Sequence, residues 1–283
     1  MREKVNGFVG VMAVAILCMV SGLCMVWGIA PVVLAVYVAA CAVCGRYMIT
    51  CIGCAAGVAA GSMGIAGLLH AYEYMIPGPA YSGVMVTEKY LVLLGLAMCL
   101  MKIVYSRNSR SYVRVIVVMS AAVLMGNIVV YADNMLMAAA YGVVEAAIFM
   151  CASVILKPGI GLLYTYICGD ASDVERDESW NISQGIVSLM ALAAVVLWVV
   201  PGEDIYGVNP AFMLALVLIL YAVYRTGAVY GCGMAAVAGS IVSVKLNDSR
   251  WLMWMLLVTL VMLIGRALTG RRKVSCLLYT SDA

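Results

Sequence analysis

From Met135 to Leu156 the chain reads MLMAAAYGVVEAAIFMCASVIL, twenty-two residues interrupted by one charge, Glu145. A run of about 20 apolar residues is what a helix needs to cross a bilayer. The pattern recurs along the chain, with candidate spans over 8-29, 31-45, 48-69, 90-105, 115-131, 135-156, 185-200, 211-224, 227-244 and 251-268. Only helices and closed barrels can satisfy their backbone groups inside lipid, and these runs are continuous rather than alternating. The fold expected is therefore all-α: a polytopic integral membrane protein of about 8-10 transmembrane helices, some of the shorter runs pairing as kinked hairpins. Composition closes the soluble alternative, because 11% charged residues against 66% hydrophobic ones cannot cover a surface in water. The lipid bilayer is the partner this implies; a net charge of +3 on such a background does not point to nucleic acid.

Lys and Arg placement sets orientation. With the N-terminus inside, fourteen of the seventeen basic residues fall on the cytoplasmic side and only Lys89, Lys245 and Arg250 outside, so both ends are expected to be cytoplasmic. Arg2 and Lys4 before an apolar run imitate a signal peptide, but no small-residue cleavage site follows and many more spans do. The outer loop from His70 to Lys89 carries Tyr72, Tyr74 and Tyr81, which suits an interfacial belt, and His70 belongs with them. The inner loop from Gly169 to Gln184 holds Asp170, Asp173, Glu175, Asp177 and Glu178, a solvated connector or a docking surface for a basic partner. The organisation expected is a membrane domain over 1-268, a basic cytoplasmic turn over 269-275 and a tail over 276-283.

Several motifs imitate chemistry that the context removes. Cys41-x-x-Cys44 and Cys51-x-x-Cys54 have zinc-ligand spacing, but they lie in apolar spans where thiolates are costly to desolvate. They read, with the other cysteines of the apolar runs, as small buried hydrophobes in a reduced setting, and no metal is expected. Gly231-Cys232-Gly233-Met234-Ala235-Ala236 fits a dinucleotide fingerprint, which needs a preceding strand that this architecture does not supply; no cofactor is expected. The better account is close helix contact: Gly227, Gly231 and Gly239 recur at turn intervals with Ala235, and Gly53, Gly57 and Gly61 repeat the device on one face of an earlier span. Glu145 is the one carboxylate well inside a span, a functional hypothesis by default. Without a visible partner it reads as a protonated group bonding a neighbouring helix, with ion or proton transport and a role in assembly as the other readings. The sequons at Asn181 and Asn247 matter only in a eukaryotic secretory route. No Ser/His/Asp set, phosphate loop or acid pair at catalytic spacing is present, so the expectation is no catalysis in these residues.

Three strings beyond Gln184 follow a recognisable layout: ISQGIVSLMALAAVVLWVV, then a short loop with Tyr206-Gly207, then MLALVLILYAVYRTGAVYGCGMAAVAGSI and SRWLMWMLLVTLVMLIGRALTGRRKVS. With YGVVEAAIF earlier, they resemble the N-terminal membrane region of stage II sporulation protein E, the septal serine phosphatase of endospore-forming bacteria. The resemblance covers about half the chain by strings and the rest by span pattern, and Ser183-Gln184 stands where that family is expected to carry an acidic pair. It implies that the chain anchors and helps assemble a metal-dependent phosphatase that activates the forespore sigma factor at the asymmetric septum, through self-association and divisome proteins. It also implies that Glu145 is a family feature. No phosphatase residue lies in these strings, so no catalytic residue is carried over. The ending Cys276 to Ala283, CLLYTSDA, looks like a translated sequencing-library adapter, which would make 276-283 non-native. A small secondary transporter using Glu145, or an uncharacterised polytopic protein, are the alternatives.

Overall fold

The computed structural model describes residues 2–23, 31–63, 83–104, 109–132, 134–168, 182–200 and 209–268. The described residues form ten helices and no strand. They are α1 Arg2–Leu23, α2 Pro31–Cys44, α3 Tyr47–Met63, α4 Gly83–Ile103, α5 Ser109–Val130, α6 Met135–Cys168, α7 Ile182–Val199, α8 Pro210–Thr226, α9 Ala228–Lys245 and α10 Arg250–Leu268. The protein is all-α, each helix answering one expected span. Residues 70–82 of the His70 loop, residues 169–181 of the acidic loop and both C-terminal segments, 269-275 and 276-283, lie outside the described residues.

Three helical stretches, Arg110–Val130, Met135–Ile167 and Ala228–Lys245, are long and apolar enough to cross a membrane, and several shorter apolar helices accompany them. The outward faces agree with that reading. Val129 and Leu136 are 75% and 82% exposed, and Val92, Val229 and Met253 are similarly bare. So large an apolar exterior would aggregate in water and is ordinary against lipid tails.

The helices gather into two compact units, Met1–Val199 and Val200–Ala283. In the first, α2 is the hub. Every residue from Pro31 to Cys41 is buried, and α1, α3, α4 and α6 pack around it. A helix apolar all round belongs in an interior. At 14 residues, or about 21 Å, α2 is shorter than the hydrocarbon layer, which matters little to a helix that protein shields on all sides. Pro31 opens it at a position where a missing N–H costs nothing.

The helix α6 runs further than the sequence suggests, to Cys168 instead of Leu156, with Pro158 inside it. Proline removes one backbone hydrogen bond and crowds the preceding turn. Neighbouring helices make up polar contacts there: Gly159 N–H donates to Ser188 Oγ of α7 at 2.5 Å, and the Tyr112 hydroxyl of α5 donates to Ser153 O at 2.7 Å. Such repair is how membrane helices tolerate an internal proline. Three helices also start well before their expected spans, α1 at Arg2, α5 at Ser109 and α4 at Gly83, and the last of these makes Glu88 and Lys89 helical rather than part of an outer loop.

In the second unit α9 packs against both α8 and α10, which also touch each other. Asn209 caps α8 by accepting from Phe212 N–H at 2.9 Å, with Pro210 in the first turn. Phe212 then meets Trp251 of α10 edge to face, ring centroids 4.9 Å apart.

Candidate functional site

The packing glycines sit where backbones meet. On α3, a Cβ at Gly53 would lie 2.6 Å from Ala15 O of α1, and one at Gly57 would overlap Met19 O. Gly22 of α1 answers from the other side, its own Cβ position 2.6 Å from Gly57 C. Gly61, one turn on, is buried. In the second unit Gly231 of α9 presses on Val223 of α8, and Gly239 presses on Leu252 and Met255 of α10. Glycines at these positions remove the side chain that would hold two helices apart.

Gly227 does something else. It lies between α8 and α9 rather than on a helix face, with φ 99° and ψ −170°, a conformation that side-chain-bearing residues rarely adopt. One residue thus ends α8 and starts α9. The Arg266 guanidinium of α10 donates to Val223 O, one of the last carbonyls of α8.

The cysteines divide by place. Cys18, Cys41 and Cys54 are buried, Cys44 and Cys51 partly so, whereas Cys99, Cys151 and Cys232 are exposed on apolar faces instead of buried as expected. Lipid serves a thiol of low polarity as well as a protein interior does. The Cys41 thiol meets Thr50 Oγ1 at 3.3 Å, and Thr50 also bonds back to Arg46 O and Tyr47 O. Among the described residues no group of three or more His, Cys, Asp or Glu side chains is arranged to hold a metal ion.

The main concentration of polar chemistry is around Glu145. Its Oε2 accepts from Lys89 Nζ of α4 at 2.8 Å and from Asn127 Nδ2 of α5 at 2.7 Å. Lys89 also donates to Asn127 Oδ1 at 3.1 Å, so the three side chains close a ring, and Asn127 Nδ2 reaches its own helix at Val123 O. The Lys89 and Glu145 side chains are 5% and 17% exposed. Each charge is costly in lipid, and the ring meets that cost with an opposite charge and an amide.

The surroundings are built for this contact. The Lys89 stem lies over Gly126, where a Cβ would come within 3.3 Å of Cγ and Cδ. Gly142, one turn before Ala146 on α6, lets Asn127 and Leu124 of α5 approach. The Lys89 ammonium stands 4.7 Å from the centre of the Tyr90 ring, and Tyr131 stacks on Tyr141 nearby in α6, centroids 5.3 Å apart.

Sequence reasoning found Glu145 and missed its partners. The span expected from Tyr90 leaves Lys89 in the outer loop. Asn127 carried a readable signal, a lone amide within LMGNIVV, and its burial is complete. Lys89 and Asn127 are the neighbouring-helix partners of Glu145 that the sequence alone does not show. The chain matches no protein-family model, no curated protein and no solved structure.

Proposed function

We propose that this chain is the membrane anchor and assembly region of a stage II sporulation protein E-like serine phosphatase, held in the bacterial cell membrane at the division septum. In this reading these residues carry no catalysis; they hold a cytoplasmic phosphatase in place and associate with copies of themselves and with divisome proteins. The reading rests on the strings from Gln184 onward and on YGVVEAAIF, and one structural observation supports it. Glu145, the residue a transporter would use, is closed into a ring with Lys89 and Asn127 that ties α4, α5 and α6 together. An anchor gains from a satisfied polar ring that fixes neighbouring helices.

A fluorescent fusion of the chain, expressed in an endospore-forming bacterium entering sporulation, is expected to gather at the asymmetric septum. Uniform distribution around the membrane would overturn the proposal. The second reading, a small secondary transporter, draws on the same pair, since an intramembrane Lys–Glu contact is also found along ion pathways. It requires that Glu145→Gln abolish uptake of a substrate while the protein stays folded.

A further inference from the structure

Glu88 is the carboxylate left over on α4. Its neighbour Lys89 is buried in the polar ring, whereas Glu88 is exposed and makes no ion pair among the described residues. It shares its face of the helix with Val92, 71% exposed, with Leu91 and Leu96, and with the thiol of Cys99. A charge on an apolar helix face within the bilayer is costly and calls for a partner. About 7.5 Å of helix separates it from the start of α4 at Gly83, and a glutamate is shorter than the lysine and arginine side chains that reach water from such places.

If a second copy of the chain supplies that partner, the charge pattern leaves one choice. Of the seventeen basic residues only Lys89, Lys245 and Arg250 belong to the outer side, and the two lysines are buried. The Arg250 side chain is 84% exposed, and its ion pair with Asp248 is long, 4.0 Å from Nε, which leaves the other four guanidinium N–H donors out of that contact. Arg250 opens α10, whose outward face carries Trp254, Leu257 and Val261, each more than half exposed.

We propose that α4 of one copy docks against α10 of a second copy, with Glu88 pairing to Arg250. Under the orientation above, both helices run from the outer side to the inner one. From Glu88 the positions Val92, Gly95 and Cys99 follow at steps of four, three and four, and Trp254, Leu257 and Val261 follow Arg250 at the same steps. That is the seam of two parallel helices. With Glu88 beside Arg250, large residues meet small ones: Leu257 falls opposite Gly95, where no atom lies within 4 Å of the Cβ position, and Val261 falls opposite Cys99. An α4 to α4 pairing would instead set two Glu88 carboxylates against each other. Because the contact joins two different surfaces, copies add head to tail into rings or open chains rather than a two-fold pair. It rests on the self-association in the anchor reading, not on the septal location.

The experiment measures energy transfer between donor-labelled and acceptor-labelled populations of the full chain, reconstituted together in lipid vesicles. Wild-type chains are expected to exceed the transfer of randomly dispersed protein at the same protein-to-lipid ratio, and Glu88→Arg or Arg250→Glu, each alone, to lose most of that excess. Mixing the two variants is expected to restore it, since each then supplies the charge that the other lacks. No excess in the wild type overturns the proposal, because lipid alone then covers the face. Excess that survives in both variants places the contact elsewhere and is equally fatal, as is a mixture of the two folded variants that stays dispersed. Where a reversal fails to fold, Glu88→Gln and Arg250→Gln take its place; each is expected to lower the excess, and an unchanged value sinks the contact. Energy transfer without septal gathering defeats the septal reading alone, and septal gathering without energy transfer defeats this contact alone.

Discussion

Lys89 Nζ on α4 and Glu145 Oε2 on α6 stand 2.8 Å apart although fifty-six residues separate them in the chain. Neither charge would be tolerated alone at that depth. Removing one partner of a buried pair leaves the other uncompensated and typically costs about 3–5 kcal/mol, whereas replacing both by apolar groups of similar volume is close to neutral. Glu145→Leu and Lys89→Met are each expected to lower stability by an amount of that order, and the double variant to recover most of it. Equilibrium unfolding in mild detergent checks this; additive losses in the double variant would mean that the two residues do not act as a pair.

The contact between α1 and α3 gives a second prediction. A methyl group at Gly57 has no room beside Met19 O and Gly22, and both obstacles are backbone. Gly57→Ala is expected to cost about 1–3 kcal/mol, the usual range for forced overpacking. Gly95 is the control, since a Cβ there meets nothing within 4 Å. Gly95→Ala should be neutral or stabilising by up to about 1 kcal/mol through helix propensity. Thermal melts of the two variants side by side separate packing from propensity.

These sites show what the sequence could disclose. The ten helices were legible because an apolar run needs no period to be recognised, and Gly53, Gly57, Gly231 and Gly239 were legible because small residues at turn spacing in such a run have few other uses. Gly227 was misleading, since it continues the same spacing while serving as the junction between α8 and α9. The ion pair was hidden by a boundary. Nothing in VMVTEK breaks a helix, so α4 extends back to Gly83 and carries Lys89 in with it. Which residue a charge meets across fifty-six positions is a tertiary fact that local pattern does not contain.

Gly227 supplies a third prediction. Its φ of 99° with ψ near −170° lies in a region that glycine alone enters freely. Gly227→Ala is expected to destabilise the second unit by about 1–3 kcal/mol. The Cβ itself would be harmless, its nearest contact among the described residues being Arg266 Nη1 at 3.9 Å. The loss should therefore persist when Arg266 is shortened, and a Gly227→Ala, Arg266→Ala double variant measured by thermal unfolding shows whether strain or crowding is at work.

Orientation yields the last prediction. The three basic residues that the charge rule leaves outside each meet an acceptor: Lys89 pairs with Glu145, Lys245 donates to Val200 O, and Arg250 lies 4.0 Å from Asp248. The first two are buried and carry little free charge to the surface, so they weigh little against the fourteen basic residues on the other side. The turn between α9 and α10 should then face away from the cytoplasm. An alkaline phosphatase fusion after Asn247 is expected to be active and a green fluorescent protein fusion after Lys273 to fluoresce, since each reporter works on one side only. The opposite pair of results would mean that the buried lysines do act on insertion, and Glu145→Gln, which strips Lys89 of its counter-charge, would be the variant to follow.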